Sequence, residues 1–162
     1  MRLRHAIMIF LALLLVGQAA YYYPILPATM ASHFDGSGNP DGWMAKSSFF
    51  AFELVIFGVM MVEFLGLPWL VERMPDSWIN LPNKSYWLTP ERRSRAFEIF
   101  RIYFQWFSIA LLLVLVFVNQ LVYRANLTRT AFDSSIWLIL AAFFVFVIIW
   151  LVKFILVFRK PS

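Results

Sequence analysis

The chain has 162 residues, 62% hydrophobic and 19% aromatic, with only 14% charged, against about 25% charged in an ordinary soluble domain. A soluble fold of this size cannot hide that much apolar surface, and the net charge of +5 comes from basic residues at the ends of apolar runs, which points to membrane orientation and away from nucleic acid. The absence of cysteine removes disulfides, thiolate metal sites and cysteine nucleophiles.

A hydrocarbon core about 30 Å thick is crossed by roughly 20 apolar residues in a helix. The first such run covers about residues 6–23, behind Met1-Arg2-Leu3-Arg4-His5. Its basic start, apolar middle and small Gly17, Ala19 and Ala20 also have the layout of a secretory signal peptide. Gln18 and Tyr21-Tyr22-Tyr23 favour an uncleaved span that ends in an aromatic interface belt.

The next segment, residues 24–47, reads as a structured outer loop. Asn39-Pro40-Asp41-Gly42 has the residue order of a type I turn. Asp35, Ser37, Asn39 and Asp41 alternate like the oxygen ligands of a calcium loop, but Pro40 stands where that loop needs glycine and Lys46 where it needs glutamate. His33 with Asp35 and Asp41 offers imidazole and carboxylate to a transition metal, with one histidine only. Trp43 suits an interface anchor, and with Lys46 it completes the candidate functional residues of the loop.

The second span covers residues 49–71, with Ser47 and Ser48 placed to cap it and Pro68 placed to kink or close it. It carries two carboxylates, Glu53 and Glu63. An acidic residue at the centre of a span costs about 2.5–3.5 kcal/mol, so Glu63, about 4.5 Å from the midpoint, is expected to face the bundle. Arg101, Gln105 and Lys153 are its candidate partners. Glu53 lies nearer the outer end, roughly 80° around the helix and 15 Å along it from Glu63, so the two are not an acid–base pair.

An inner loop, residues 72–95, contains Arg92, Arg93 and Arg95 beside Trp87, a cluster that either fixes topology or grips anionic headgroups. The third span, residues 98–122, reads as part of a longer helix starting at Thr89-Pro90-Glu91, which supply a cap, a first-turn proline and an acid for the helix dipole. Asn126-Leu127-Thr128 beyond it has the form of a glycosylation acceptor. The fourth span, residues 136–157, lies between Ser134-Ser135 and Arg159-Lys160. Eleven of the fourteen lysines and arginines fall on the side of the termini and the 72–95 loop, which places both ends inside.

The outer segment Tyr23-Pro24-Ile25-Leu26-Pro27-Ala28-Thr29-Met30-Ala31-Ser32-His33-Phe34, followed by Asp35-Gly36-Ser37-Gly38-Asn39-Pro40-Asp41-Gly42-Trp43 and Lys46, resembles a bacterial membrane domain of unknown function. The same domain forms the first part of SdpI-like immunity proteins, which resist a secreted sporulation-delaying peptide toxin and carry a further membrane region not seen here. The stretch Leu81-Pro82-Asn83-Lys84-Ser85-Tyr86-Trp87-Leu88-Thr89-Pro90-Glu91-Arg92 resembles stand-alone members of that uncharacterised family. The resemblance implies a bacterial cytoplasmic membrane and, by association, immunity or envelope sensing at its outer face.

The sequence thus predicts an all-α bundle of four transmembrane helices with a structured outer loop, and no cofactor. Its expected partners are the lipid bilayer, a peptide toxin or another membrane protein, and a second copy of itself, not nucleic acid. No nucleophile elbow, zinc-protease helix or phosphate loop is present, so a non-enzymatic role ranks first. A small oligomeric transporter using Glu63 ranks second, and a membrane-embedded enzyme third.

Overall fold

The computed structural model describes residues 2–159, so Met1 and Lys160 of the basic ends lie outside the described residues. The elements run α1 (Arg2–Tyr22), β1 (Thr29–Phe34), β2 (Pro40–Ala45), α2 (Lys46–Arg73), a 3-10 turn (Asp76–Trp78), α3 (Lys84–Trp87), α4 (Arg93–Thr128) and α5 (Ser135–Arg159). Among the described residues, α1, α2, α4 and α5 are four helices long and apolar enough to cross a membrane. A helix satisfies its backbone groups internally, which hydrocarbon demands.

The 36 residues of α4 extend about 54 Å, and α1, α2 and α5 each pack against it. Met8, Leu11 and Leu15 of α1 meet Phe64 of α2 and Leu112 and Val116 of α4 in the main core. On α2 the inward stripe is Phe50, Glu53, Phe57, Met60, Phe64 and Pro68, spaced three or four apart, as one face of a helix requires. At the end of the bundle away from the strands, Trp87 is buried against Ala96 and Phe158. Its indole N–H donates to the Phe158 carbonyl at 2.7 Å, which ties the α3 segment to the last turn of α5.

Several expectations need correction. The outer loop is structured as a β-hairpin, so the fold is not purely α. Its turn is Asp35-Gly36-Ser37-Gly38, closed by the Gly38 N–H donating to the Asp35 carbonyl at 2.9 Å, whereas Pro40-Asp41-Gly42 already belong to β2. Asp35 wins because its carboxylate accepts the backbone N–H groups of Ser37 and Asn39, each at 2.8 Å, an Asx arrangement that mimics a backbone turn.

Ser47 and Ser48 do not cap α2. The helix starts at Lys46 directly from β2, behind Ala45 and with no side-chain cap. Pro68 neither closes α2 nor lies at its end, since the helix continues to Arg73 with Pro68 buried inside it. α4 starts at Arg93; Thr89 contributes its carbonyl, which accepts the N–H groups of Arg92 and Arg93.

The arginines of the 72–95 segment have protein partners. Arg93 pairs with Asp76 and donates to the Glu72 and Met74 carbonyls at 3.0 and 3.2 Å. These close the C-terminal end of α2, where a cation opposes the helix dipole. Arg92 stacks over Tyr86 at 4.2 Å, and Arg95 pairs with Glu98 at 2.7 Å.

Candidate functional site

The hairpin is docked, not dangling. Strand pairing runs Thr29 to Ala45, Met30 to Met44, Ala31 to Trp43, His33 to Gly42 and Phe34 to Pro40. Ser32 is therefore an extra residue on β1 and Asp41 an extra residue on β2, two bulges that re-aim side chains. Opposite the second bulge, a Cβ on Gly42 would lie 2.8 Å from the His33 Cβ, so only glycine lets the strands approach there.

Asn126, near the end of α4, fastens β1 from the side. Its Oδ1 accepts the Ala31 N–H at 2.7 Å, and its Nδ2 donates to the Ala31 carbonyl at 3.1 Å. A side-chain amide here takes the place of a third strand. Asn126 is 5% exposed, so it is no glycosylation acceptor in this fold. The turn is held too, because the Phe132 N–H donates to the Gly38 carbonyl at 2.6 Å and the Phe34 and Phe132 rings lie 4.8 Å apart.

Beneath the docked hairpin lies a cleft of about 300 Å³. Leu15 and Ala19 of α1, Phe50, Glu53 and Phe57 of α2, and Asn119 of α4 contribute to its walls, with Ser32 and Met44 of the hairpin. The lining is otherwise apolar, so its polar groups determine what it can recognise. Glu53 is half-buried and is held from α4. The Tyr123 hydroxyl lies 2.6 Å from both of its carboxylate oxygens and donates its one proton between them, while Asn119 Nδ2 donates to Oε1.

Tyr123 is fully buried and stacked on Phe50 with ring centres 5.6 Å apart. A separate set of polar side chains packs against it through Tyr22. Gln120 Nε2 donates to the Tyr22 hydroxyl at 2.6 Å, and Gln18 Nε2 donates to Gln120 Oε1 at 3.1 Å. The Tyr22 and Tyr123 rings are 4.9 Å apart.

The residues singled out by sequence separate into distinct places. His33 Nδ1 meets Asp41 Oδ1 on the exposed face of the hairpin. Asp35 is apart from that pair, and the Asn39 backbone N–H foremost holds its carboxyl below the usual carboxylate range. Among the described residues no group of three His, Asp or Glu is arranged to hold a metal ion. Trp43 is 59% exposed and lines a second cavity, of about 290 Å³, with Pro27, Asn126 and Arg129. Lys46 has a structural post: its Nζ donates to the carbonyls of Tyr23 and Leu26, both at 2.9 Å, at the end of α1.

Glu63 does not face the bundle. It is exposed on the outward side of α2, and its three candidate partners are elsewhere. Arg101 donates to Glu72 at 2.6 Å, Gln105 accepts from Arg4 at 2.8 Å and lies 3.1 Å from His5, and Lys153 is exposed on α5.

Residues 7–58 match the family model of a domain of unknown function, DUF1648. The matched segment takes in α1 from Ile7 onward, the whole hairpin and α2 as far as Gly58, and so includes Glu53 and every loop candidate. The α4 wall lies outside it. No curated protein and no solved structure matches the chain.

Tyr123, Asn119 and Gln120 were not picked out by sequence reasoning, and Asn126 was singled out only as a glycosylation acceptor. A signal was present: Leu112, Val116, Asn119, Tyr123 and Asn126 repeat every three or four residues, so the polar groups of α4 continue its buried apolar stripe toward the hairpin.

Proposed function

We propose that this protein is a non-enzymatic membrane receptor that takes the apolar side of a cationic, membrane-active peptide into the cleft beneath its hairpin. The observation that carries this reading is Glu53: one carboxylate, fixed by Tyr123 and Asn119, on the wall of an otherwise apolar cleft. A cation with a greasy flank satisfies both features at once, and the low dielectric strengthens the charge contact. On this reading the protein acts as an SdpI-like immunity or envelope-sensing protein of a bacterial cytoplasmic membrane. The bias of basic residues toward the end away from the hairpin supports cytoplasmic termini and an external hairpin.

The test is expression of the full chain in a host sensitive to cationic envelope-active peptides. Protection is expected, and Glu53→Gln should remove it at unchanged protein level, while Asp41→Asn on the exposed hairpin face leaves it intact. Equal protection by Glu53→Gln, or none from the parent chain against every such peptide, would overturn the proposal.

One observation favours a second reading as an ion-conducting subunit, namely the hydrogen-bonded Gln18, Gln120 and Tyr22, which pack through the Tyr22 ring on the tyrosine that holds Glu53. It predicts proton flux in reconstituted vesicles that Glu53→Gln removes. Glu63, outside the bundle, is not on that path.

A further inference from the structure

Two opposite charges stand on the outer surface of the bundle at membrane depth. Glu63 is exposed on α2 and Lys153 is exposed on α5. Among the described residues neither has a hydrogen bond or an ion pair. A charge turned toward hydrocarbon is costly, and such residues nearly always face protein or water.

α2 and α5 run in the same direction, from the hairpin end to the opposite end, and each packs on α4. Glu63 is ten residues before the end of α2 at Arg73, and Lys153 is six before the end of α5 at Arg159. Those separations are about 15 Å and 9 Å of helix. Both side chains lean toward the helix N-terminus, here the hairpin end, and α4 sets their relative depth: Phe64 beside Glu63 meets Phe104, while Phe154 beside Lys153 meets Phe100 and Tyr103, so the charges lie within about one helical turn of each other, a gap the longer lysine arm spans. The surfaces around both charges are apolar and open: Val59 and Val62 on α2 are 54% and 71% exposed, and Ile149 and Val152 on α5 are 49% and 50% exposed.

We infer that a second copy of this chain seats the outward face of its α5 on the outward face of α2, pairing Lys153 of one copy with Glu63 of the other inside the membrane. Copies related by rotation about the membrane normal keep the same depth and direction, so both charges of every internal contact are matched. The contact joins two different faces, so it is head-to-tail and builds a ring or an open chain.

The test uses cysteine cross-linking in membranes, made clean by the absence of native cysteine. Val59→Cys and Ile149→Cys lie one turn from the two charges and leave them in place. With copper phenanthroline as oxidant, a chain carrying both substitutions should give a ladder of dimer and higher species, and co-expressed single variants should give the mixed dimer. Val59→Cys alone should give none. Lys153→Glu should slow cross-linking by about tenfold or more, the factor given by about 1.4 kcal/mol. The exchanged double variant Glu63→Lys with Lys153→Glu should restore it. Monomer alone, cross-linking of Val59→Cys with itself at the rate of the mixed pair, or indifference to Lys153→Glu overturns the inference.

Discussion

Asn126 and Ala31 form a two-bond amide pair, 95 residues apart in sequence, that makes the end of α4 a third partner of the hairpin. Replacing Asn126 with leucine leaves the Ala31 N–H and carbonyl buried without partners, each at a cost of about 1–3 kcal/mol. Amide exchange over residues 29–34 should accelerate by more than tenfold in Asn126→Leu while exchange in the middle of α4 is unchanged. Unaltered protection of β1 would show that the aromatic contacts suffice.

The hold of Tyr123 on Glu53 predicts a stability effect separable from ligand capture. Tyr123→Phe keeps the stacked ring but removes the donor to a half-buried carboxylate, a loss of about 1–3 kcal/mol. Thermal unfolding in detergent, followed by circular dichroism, should shift down by several degrees. Tyr21→Phe, at a ring that is 67% exposed, should leave the midpoint where it was.

The Asp35 turn predicts an acid transition. Its carboxyl is depressed below the ordinary 3.8 by the backbone N–H of Asn39 foremost. The unfolded turn therefore binds its proton first as acid is added. The stabilisation is fully present above the ordinary value and is lost as pH falls through the lower folded value. Exchange of the Ser37 and Asn39 amides should rise across that window. Asp35→Asn should remove this pH dependence while keeping one acceptor; persistence of the transition would assign it to another group.

Gly38 and Gly36, two residues apart, should differ in their response to alanine. Gly38 has φ +85 and its Cβ would lie 2.7 Å from the Phe132 carbonyl oxygen, whereas a Cβ on Gly36 meets nothing within 4 Å. Gly38→Ala combines about 1–3 kcal/mol of backbone strain with that clash, so the turn should become protease-sensitive. Gly36→Ala should match the parent chain in the same digestion.

The apolar run lengths made four membrane-length helices legible, because hydrocarbon thickness and helix rise leave little freedom. The hairpin was hidden because its 24–47 segment carries turn residues at two places, and only the Asx bonds of Asp35 choose between them. The cleft was hidden because its polar groups come from α2 and α4, and Glu53 and Tyr123 are 70 residues apart.

From sequence alone came the number of greasy helices, their order and the concentration of basic residues at one end. Tertiary structure alone decided which side of each helix turns inward, and with it that Glu53 is gripped by Tyr123 and Asn119 while Glu63 looks out. In water the polar side of a helix announces its surface, but α2 is apolar all round apart from its two carboxylates and its ends. Hydrocarbon is as greasy as the core, so the inward face is chosen by shape and hydrogen bonding to α4, which no single helix records.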